Sequence, residues 1–304
     1  MNQLISSCIT PHWGDVNTLT AECFVKSEDG RVKILNAALH GPFCAMAHTL
    51  PARYPLRAVG ETMPQTFMGL LPDPCFWEPG SPFTYRLELE ICEEGAAPLN
   101  ESLIVGIRPL SIRGHDLYYA DRRYVMRMVD VPRAVENAAS EEDVLAGCLH
   151  SGSVLLSRDP TPSLLAQATR QGVLLAVEIE SIDPSCVLGE LKQLARWPAV
   201  GMVILPAELV LETPLPPPAS SLLRSVVYHP DRPVPPWAQV LIVEEPLLGD
   251  TSRPAANRPQ MVCCRVDPGA SIEAARRVCD DLQQRTAAWP QIAGYIASSQ
   301  NGLY

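Results

Sequence analysis

Eight short apolar runs constrain the fold of this chain more than any other feature. They are YVMRMVD (124–130), SVLLSRD (153–159), VLLAVEIE (173–180), VGMVILP (200–206), RSVVYHP (224–230), QVLIVEE (239–245), QMVCCRVD (260–267) and IAGYIAS (292–298). The runs are continuous rather than alternating, as expected of parallel strands buried on both faces. Helix-start signals lie between several of them. Ser140 with Asp143 forms a capping-box pattern, Thr161-Pro162 puts proline in a first helical turn, and Ser271 precedes IEAARRVCDDLQQR. ETPLPPPASS (212–221) and PLLGDTSRPAANR (246–258) read as loops where helices would be expected. The pattern predicts a compact, helix-poor (β/α)8 TIM-like barrel, with an open doubly wound sheet as its rival. At about 190 residues it falls just below the usual ~200–250 for a barrel. No G-x-G-x-x-G or G-x-x-x-x-G-K-[ST] motif points to a nucleotide, and no cofactor is implied.

The first third has a different period. TAECFVKS and RVKILNAAL flank an Asp29-Gly30 turn, a short-range hairpin signal. FTYRLELEI alternates strictly, with Phe83, Tyr85, Leu87, Leu89 and Ile91 on one face, and LIVGIRPLSI (103–112) reads as a further strand. Short strands with proline and glycine turns predict an immunoglobulin-like β-sandwich over 1–112, followed by the barrel over 113–304. A chain of 304 residues has room for both.

Composition removes other classes. The net charge of −10 is shared equally between 1–112 and the remainder, so no basic face suggests nucleic acid. No run approaches the ~18 apolar residues of a membrane span, and MNQLISSCITPHWGD lacks a secretory pattern. The ten cysteines are scattered, with no CxxC pair, which fits a cytoplasmic location rather than a disulfide scaffold. The six histidines never pair at i, i+3 or i+4, no Asp-x-Asp spacing is present, and no metal site is expected. The glycine-serine segment SGSVLLS leads into a strand and not into a nucleophile elbow.

Several segments, in order, resemble glycoside hydrolase family 2. LPDPCFWEPGSPFTYRLELEI (71–91) resembles that family's sandwich segment, and VGIRPLSIRG (105–114) its glycine-x-arginine strand before the barrel. DRRYVMRMVD (121–130) sits where the family has its first barrel strand, and 152–180 matches the next strand, helix and strand. LARWPAVGMVILPAE (194–208) is similar to the segment ending in the family's asparagine-glutamate, and HPDRPVP (229–235) to a later aspartate-proline-threonine-arginine-proline-valine stretch. The resemblance implies an immunoglobulin-like sandwich before a (β/α)8 barrel, and a retaining glycosidase with two carboxyl groups about 5–5.5 Å apart.

That chemistry is only partly present. The resemblance puts Glu208 in the acid/base slot, but Ala207 replaces the asparagine that binds the sugar's 2-hydroxyl. The nucleophile slot falls on Cys264, and Asp267, three residues on, is the candidate relocated carboxylate, although strand parity turns it to the other face. Leu155 and Arg158 stand for the family's arginine and histidine on the second strand. Acids end six of the eight runs: Asp130, Asp159, Glu178 with Glu180, Glu208, Glu244 with Glu245, and Asp267. Around one barrel mouth such carboxylates raise one another's pKa values. Asp130, Asp159, Arg158, Glu178 and Glu244 are therefore the candidate substrate-binding set.

The favoured reading is a family 2-like pseudoenzyme with a carbohydrate-binding or structural role. The rival is an active glycosidase hydrolysing O-glycosyl bonds through Glu208 and a relocated nucleophile. Carbohydrate is the candidate ligand. The chain runs only a few residues past its eighth strand, so an uncovered flank and self-association are also expected.

Overall fold

The computed structural model describes residues 8–60, 65–130, 140–249, 258–289 and 291–299. The chain divides into two compact units, the first running to Arg108 and including Arg196–Pro198, the second comprising the rest.

The first unit is antiparallel. Its strands are β1 (Ile9–Val16), β2 (Thr20–Ser27), β3 (Val32–Phe43), β4 (Ala52–Ala58), β5 (Thr66–Pro72), the two-residue β6 (Trp77–Glu78) and β7 (Ser81–Pro82), β8 (Thr84–Glu93) and β9 (Leu99–Val105). Seven form one sheet in the order β1-β2-β5-β4-β3-β8-β9. Strand β4 pairs with β3 along Ala52–Leu56 and then with β5 at Arg57 and Ala58. It therefore carries the sheet from one layer of the sandwich to the other. The core between the layers takes Ile9, Ala21, Cys23 and Val25 from β1 and β2, and Leu39, Leu87, Leu89 and Ile91 from β3 and β8. The alternation expected along β8 holds from Tyr85 to Ile91, while Phe83 is half-buried ahead of the strand. The Tyr85 hydroxyl accepts the Cys75 amide at 2.8 Å and donates to its carbonyl at 3.3 Å, pinning the chain before β6 to the core.

Two local expectations are corrected. The Asp29-Gly30 turn does not close a hairpin: β2 pairs with β1 and β5, and β3 with β4 and β8. The turn is real, with Val32 N donating to the Asp29 carbonyl at 3.0 Å, but it passes the chain between layers. Both sides of β2 are already taken, so local turn chemistry loses to tertiary pairing. LIVGIRPLSI, expected as one strand, splits into the end of β9 and β10 (Leu110–Arg113), with the unit boundary between Arg108 and Pro109. Proline cannot donate to a ladder there.

The second unit opens with a small sheet of β10, β11 (Asp116–Tyr119) and β12 (Arg122–Tyr124), which the sequence reading did not separate from the barrel. Eight parallel strands then close a barrel: β13 (Met126–Asp130), β14 (Val154–Ser157), β15 (Leu175–Glu178), β16 (Val200–Ile204), β17 (Leu223–Val227), β18 (Val240–Glu244), β19 (Gln260–Arg265) and β20 (Ile292–Ser298). Every expected run supplies one strand, and β20 pairs with β13 to close the ring. Closure is tight at Gly294, where an added Cβ would lie 2.6 Å from both the Met126 carbonyl and the Met261 Cε on the flanking strands.

Four α-helices cover the barrel among the described residues: α1 (Glu141–Ser151), α2 (Pro162–Gln171), α3 (Pro184–Ala195) and α4 (Ile272–Arg285). Their starts match the sequence signals. Ser140 and Asp143 make a reciprocal capping box, and the Thr161 and Ser271 hydroxyls accept the Leu164 and Ala274 amides.

From β16 to β19 the crossovers contain no α-helix among the described residues, yet β17 is buried throughout. Proline-rich loops do the covering. Leu209, Leu211 and Leu215 after β16, and Trp237 and Ala238 after β17, are buried. Trp237 Nε1 donates to the Leu209 carbonyl at 2.8 Å, joining the two loops. Arg224 ties them again, donating to the carbonyls of Leu222 and Trp237, each at 3.2 Å. The expectation of self-association rests on the segment from residue 300 onwards, which lies outside the described residues. Trp237→Ala is expected to cost about 3–5 kcal/mol, as for other large buried aromatics, measured by urea unfolding; a loss below ~1 kcal/mol would mean that the loops are not the barrel's outer layer.

Candidate functional site

In a barrel, side chains at the C-terminal ends of the strands meet at one mouth. Asp130 ends β13, Arg158 follows β14, Glu178 ends β15, and Ser298 ends β20 with Ser299 next to it. These five residues form one buried cluster. Asp130 Oδ1 accepts from Arg158 Nη1 at 3.1 Å, and Oδ2 accepts the Ser298 and Ser299 hydroxyls, each at 3.2 Å. Arg158 Nε lies 2.7 Å from Glu178 Oε2. The side chains of Asp130 and Glu178 are 1% and 4% exposed, and that of Arg158 is 11% exposed.

Two buried carboxyls therefore share one largely buried guanidinium. The Arg158–Glu178 pair is close but poorly aligned, so Glu178 Oε2 and Arg158 Nη2 are buried without a hydrogen-bond partner among the described residues. Burial is the main reason the Glu178 carboxyl is pushed up to about 7; Arg158 opposes the shift, while Asp130 and Glu180 add to it. The crowding of acids expected from the sequence thus contributes, but desolvation leads.

Glu244 ends β18 and is half-buried, and the other candidates lie outside this cluster. Glu208 sits in the turn after β16, about half exposed, and forms an ion pair with Arg232 beyond β17. Its own backbone amide holds the carboxyl below the ordinary glutamate range, with Arg232 adding to the effect. A proton donor to a leaving group needs the opposite shift. Asp267 is exposed and accepts the Gly269 amide at 2.8 Å within its own turn. Asp159 is exposed next to the cluster, and its charge acts on Glu190 of α3.

The two adjacent cysteines of β19 face different neighbours. Cys264 feels the charges of Glu245 and Arg285, the latter from the last turn of α4, and burial pushes its thiol up to about 11. Cys263 is buried and feels Glu244 and Asp130. Adjacent strand residues point to opposite faces, so Cys263 is the one turned to the barrel interior and Cys264 faces the outer layer. All ten cysteines are free.

Among the described residues, no group of three or more His, Cys, Asp or Glu side chains could hold a metal ion. No helix of the described residues is long and apolar enough to cross a membrane. The sequence reading missed Ser298, Ser299 and Arg232. The only signal for the serines was the run of small residues at the end of β20, and Arg232 lay within HPDRPVP.

No protein-family model and no curated protein sequence matches the chain. Solved structures do match. Lactobacillus rhamnosus β-glucuronidase superposes with a TM-score of 0.65 at 11% identity, over 96% of this chain and 60% of that one. β-D-Glucuronidase of Dictyoglomus thermophilum gives 0.61 at 10% identity, over 96% and 61%. A putative β-galactosidase from Bacteroides fragilis gives 0.54 at 14%, over 95% and 46%. The fold is that of the β-glucuronidases. This chain spans about six-tenths of the length of the first two.

The raised Glu178 carboxyl has a consequence for stability. The folded protein holds a proton there that the unfolded chain gives up at ordinary carboxylate pH, so this group's contribution to stability falls as pH rises through the window up to about 7. Glu178→Gln is expected to match the wild type near pH 4 and to melt at a higher temperature than it above pH 7. Thermal unfolding across that range checks this; an equal pH slope in both proteins would count against it.

Proposed function

We propose that the chain descends from glycoside hydrolase family 2 and is a pseudoenzyme, retained for a carbohydrate-binding or structural role. One observation carries the reading: the two slots of the retaining pair do not offer two free carboxyls. Glu208 is exposed, ion-paired to Arg232 and held in the ionised form. Cys264 offers a thiol on the outer face of β19 where a carboxylate would have to reach the interior. Of the acids that end barrel strands, Asp130 and Glu178 are buried and engaged with Arg158, while Glu244 is half-buried beside Cys263. Retaining hydrolysis needs two carboxyls that substrate can touch, and both Asp130 and Glu178 are buried. The free cysteines support a reducing, cytoplasmic setting.

The test is hydrolysis of aryl β-galactoside, β-glucuronide, β-mannoside and β-glucoside by wild type and Glu208→Gln. Neither protein is expected to turn over any of the four. Turnover by wild type that disappears in Glu208→Gln would overturn the reading and make the chain an active glycosidase with a relocated nucleophile.

A further inference from the structure

The solvent face of β3, β8 and β9 in the first unit carries an open groove of about 450 Å³, within the range of small-molecule sites. The strand register sets its lining. Asn36 of β3 stands opposite Glu90 of β8, and Glu90 opposite Asn100 of β9. This makes an amide–carboxylate–amide row with neighbours about 4.8 Å apart. The next row runs Ala38, Glu88, Ser102, of which Ala38 is fully buried and Glu88 and Ser102 line the groove. Arg86 follows on β8, 5.5 Å above the Phe43 ring, and Arg53 of β4 pairs with Glu88 at 3.4 Å.

Asn36, Glu90, Asn100 and Ser102 make no side-chain hydrogen bond to any described residue. Their donors and acceptors are therefore available. We propose that this groove binds a neutral, hydroxyl-rich carbohydrate through the Asn36–Glu90–Asn100 row, with Ser102 and Arg86 beside it.

The lining selects that class. Each sugar hydroxyl both donates and accepts, and amides next to carboxylates and a guanidinium answer both functions. An anion would meet Glu88 and Glu90, and a cation Arg53 and Arg86. No metal-holding group occurs among the described residues. A peptide strand would need a free sheet edge rather than a face. The Phe43 face is already covered by Arg86, so no ring is free for stacking and the affinity expected is millimolar. This site lies on the first unit and does not depend on whether hydrolysis is retained.

The experiment is titration of the full chain with lactose, cellobiose and mannobiose, followed by the side-chain amide signals of Asn36 and Asn100 in proton–nitrogen spectra and by calorimetry. At least one disaccharide is expected to shift both amides saturably. Asn36→Ala with Asn100→Ala, and separately Glu90→Gln, are expected to weaken it at least about tenfold with unchanged melting temperature. Glu208→Gln is expected to leave binding unaltered. The proposal fails if no disaccharide binds, if glucuronate or calcium moves the two amides and neutral sugars do not, or if a sugar binds while both amides stay still. That last outcome would place the sugar elsewhere on the chain, and aryl glycoside turnover reads the barrel mouth independently.

Discussion

Closure of eight parallel strands into a ring is the constraint from which the rest of the second unit follows. A closed barrel has no edge, but each of its strands is apolar on both sides, so something must cover the outside everywhere. Helices do this over part of the circumference. Between β16 and β19 the cover is leucines and a tryptophan carried on loops, locked by Trp237 on the Leu209 carbonyl and by Arg224 on two carbonyls. A loop can substitute for a helix in this way only if its backbone polar groups find partners. The prolines help, since each removes a donor that would otherwise need one.

The same ring brings charge together at its mouth. Asp130, Arg158 and Glu178 come from three neighbouring strands, and the interior cannot hydrate them. Their mutual pairing is what makes the acids tolerable, and two polar atoms are still left over. Replacing such a cluster with apolar groups is often no worse for stability. The cluster is thus better understood as a polar mouth held together by its own arginine than as the reason the barrel holds.

Much of this architecture is legible in the sequence, because burial on both faces writes itself as continuous apolar runs and helix starts carry a hydrogen-bonding residue at a fixed offset. Ser140, Thr161 and Ser271 all cap the helices they announce. What fails is whatever depends on distant pairing. The Asp29-Gly30 turn looks like a hairpin locally, but β2 is claimed by β5, some forty residues on. The β10–β12 sheet was hidden because its short strands run directly into the first barrel run. At the mouth, Asp130, Arg158 and Glu178 could be named from their positions after strands, whereas their convergence on one guanidinium, and the part played by Ser298 and Ser299, required knowing that β20 returns beside β13.

The adjacent thiols of β19 bear on how far this barrel stands from the glycosidases that share its fold. A gapless comparison of sequences marks position 264 as the one to change, yet a carboxylate written there would lie among Glu245 and Arg285 in the outer layer. Position 263 is the one that looks inward, toward Glu244 and Asp130. A carboxylate placed there would add to the charge of Glu244 and Asp130 already acting on that position. On the proposed reading, gaining a retaining carboxyl pair is therefore not a one-codon problem: strand parity and the acids already at the mouth both stand in the way of a single substitution.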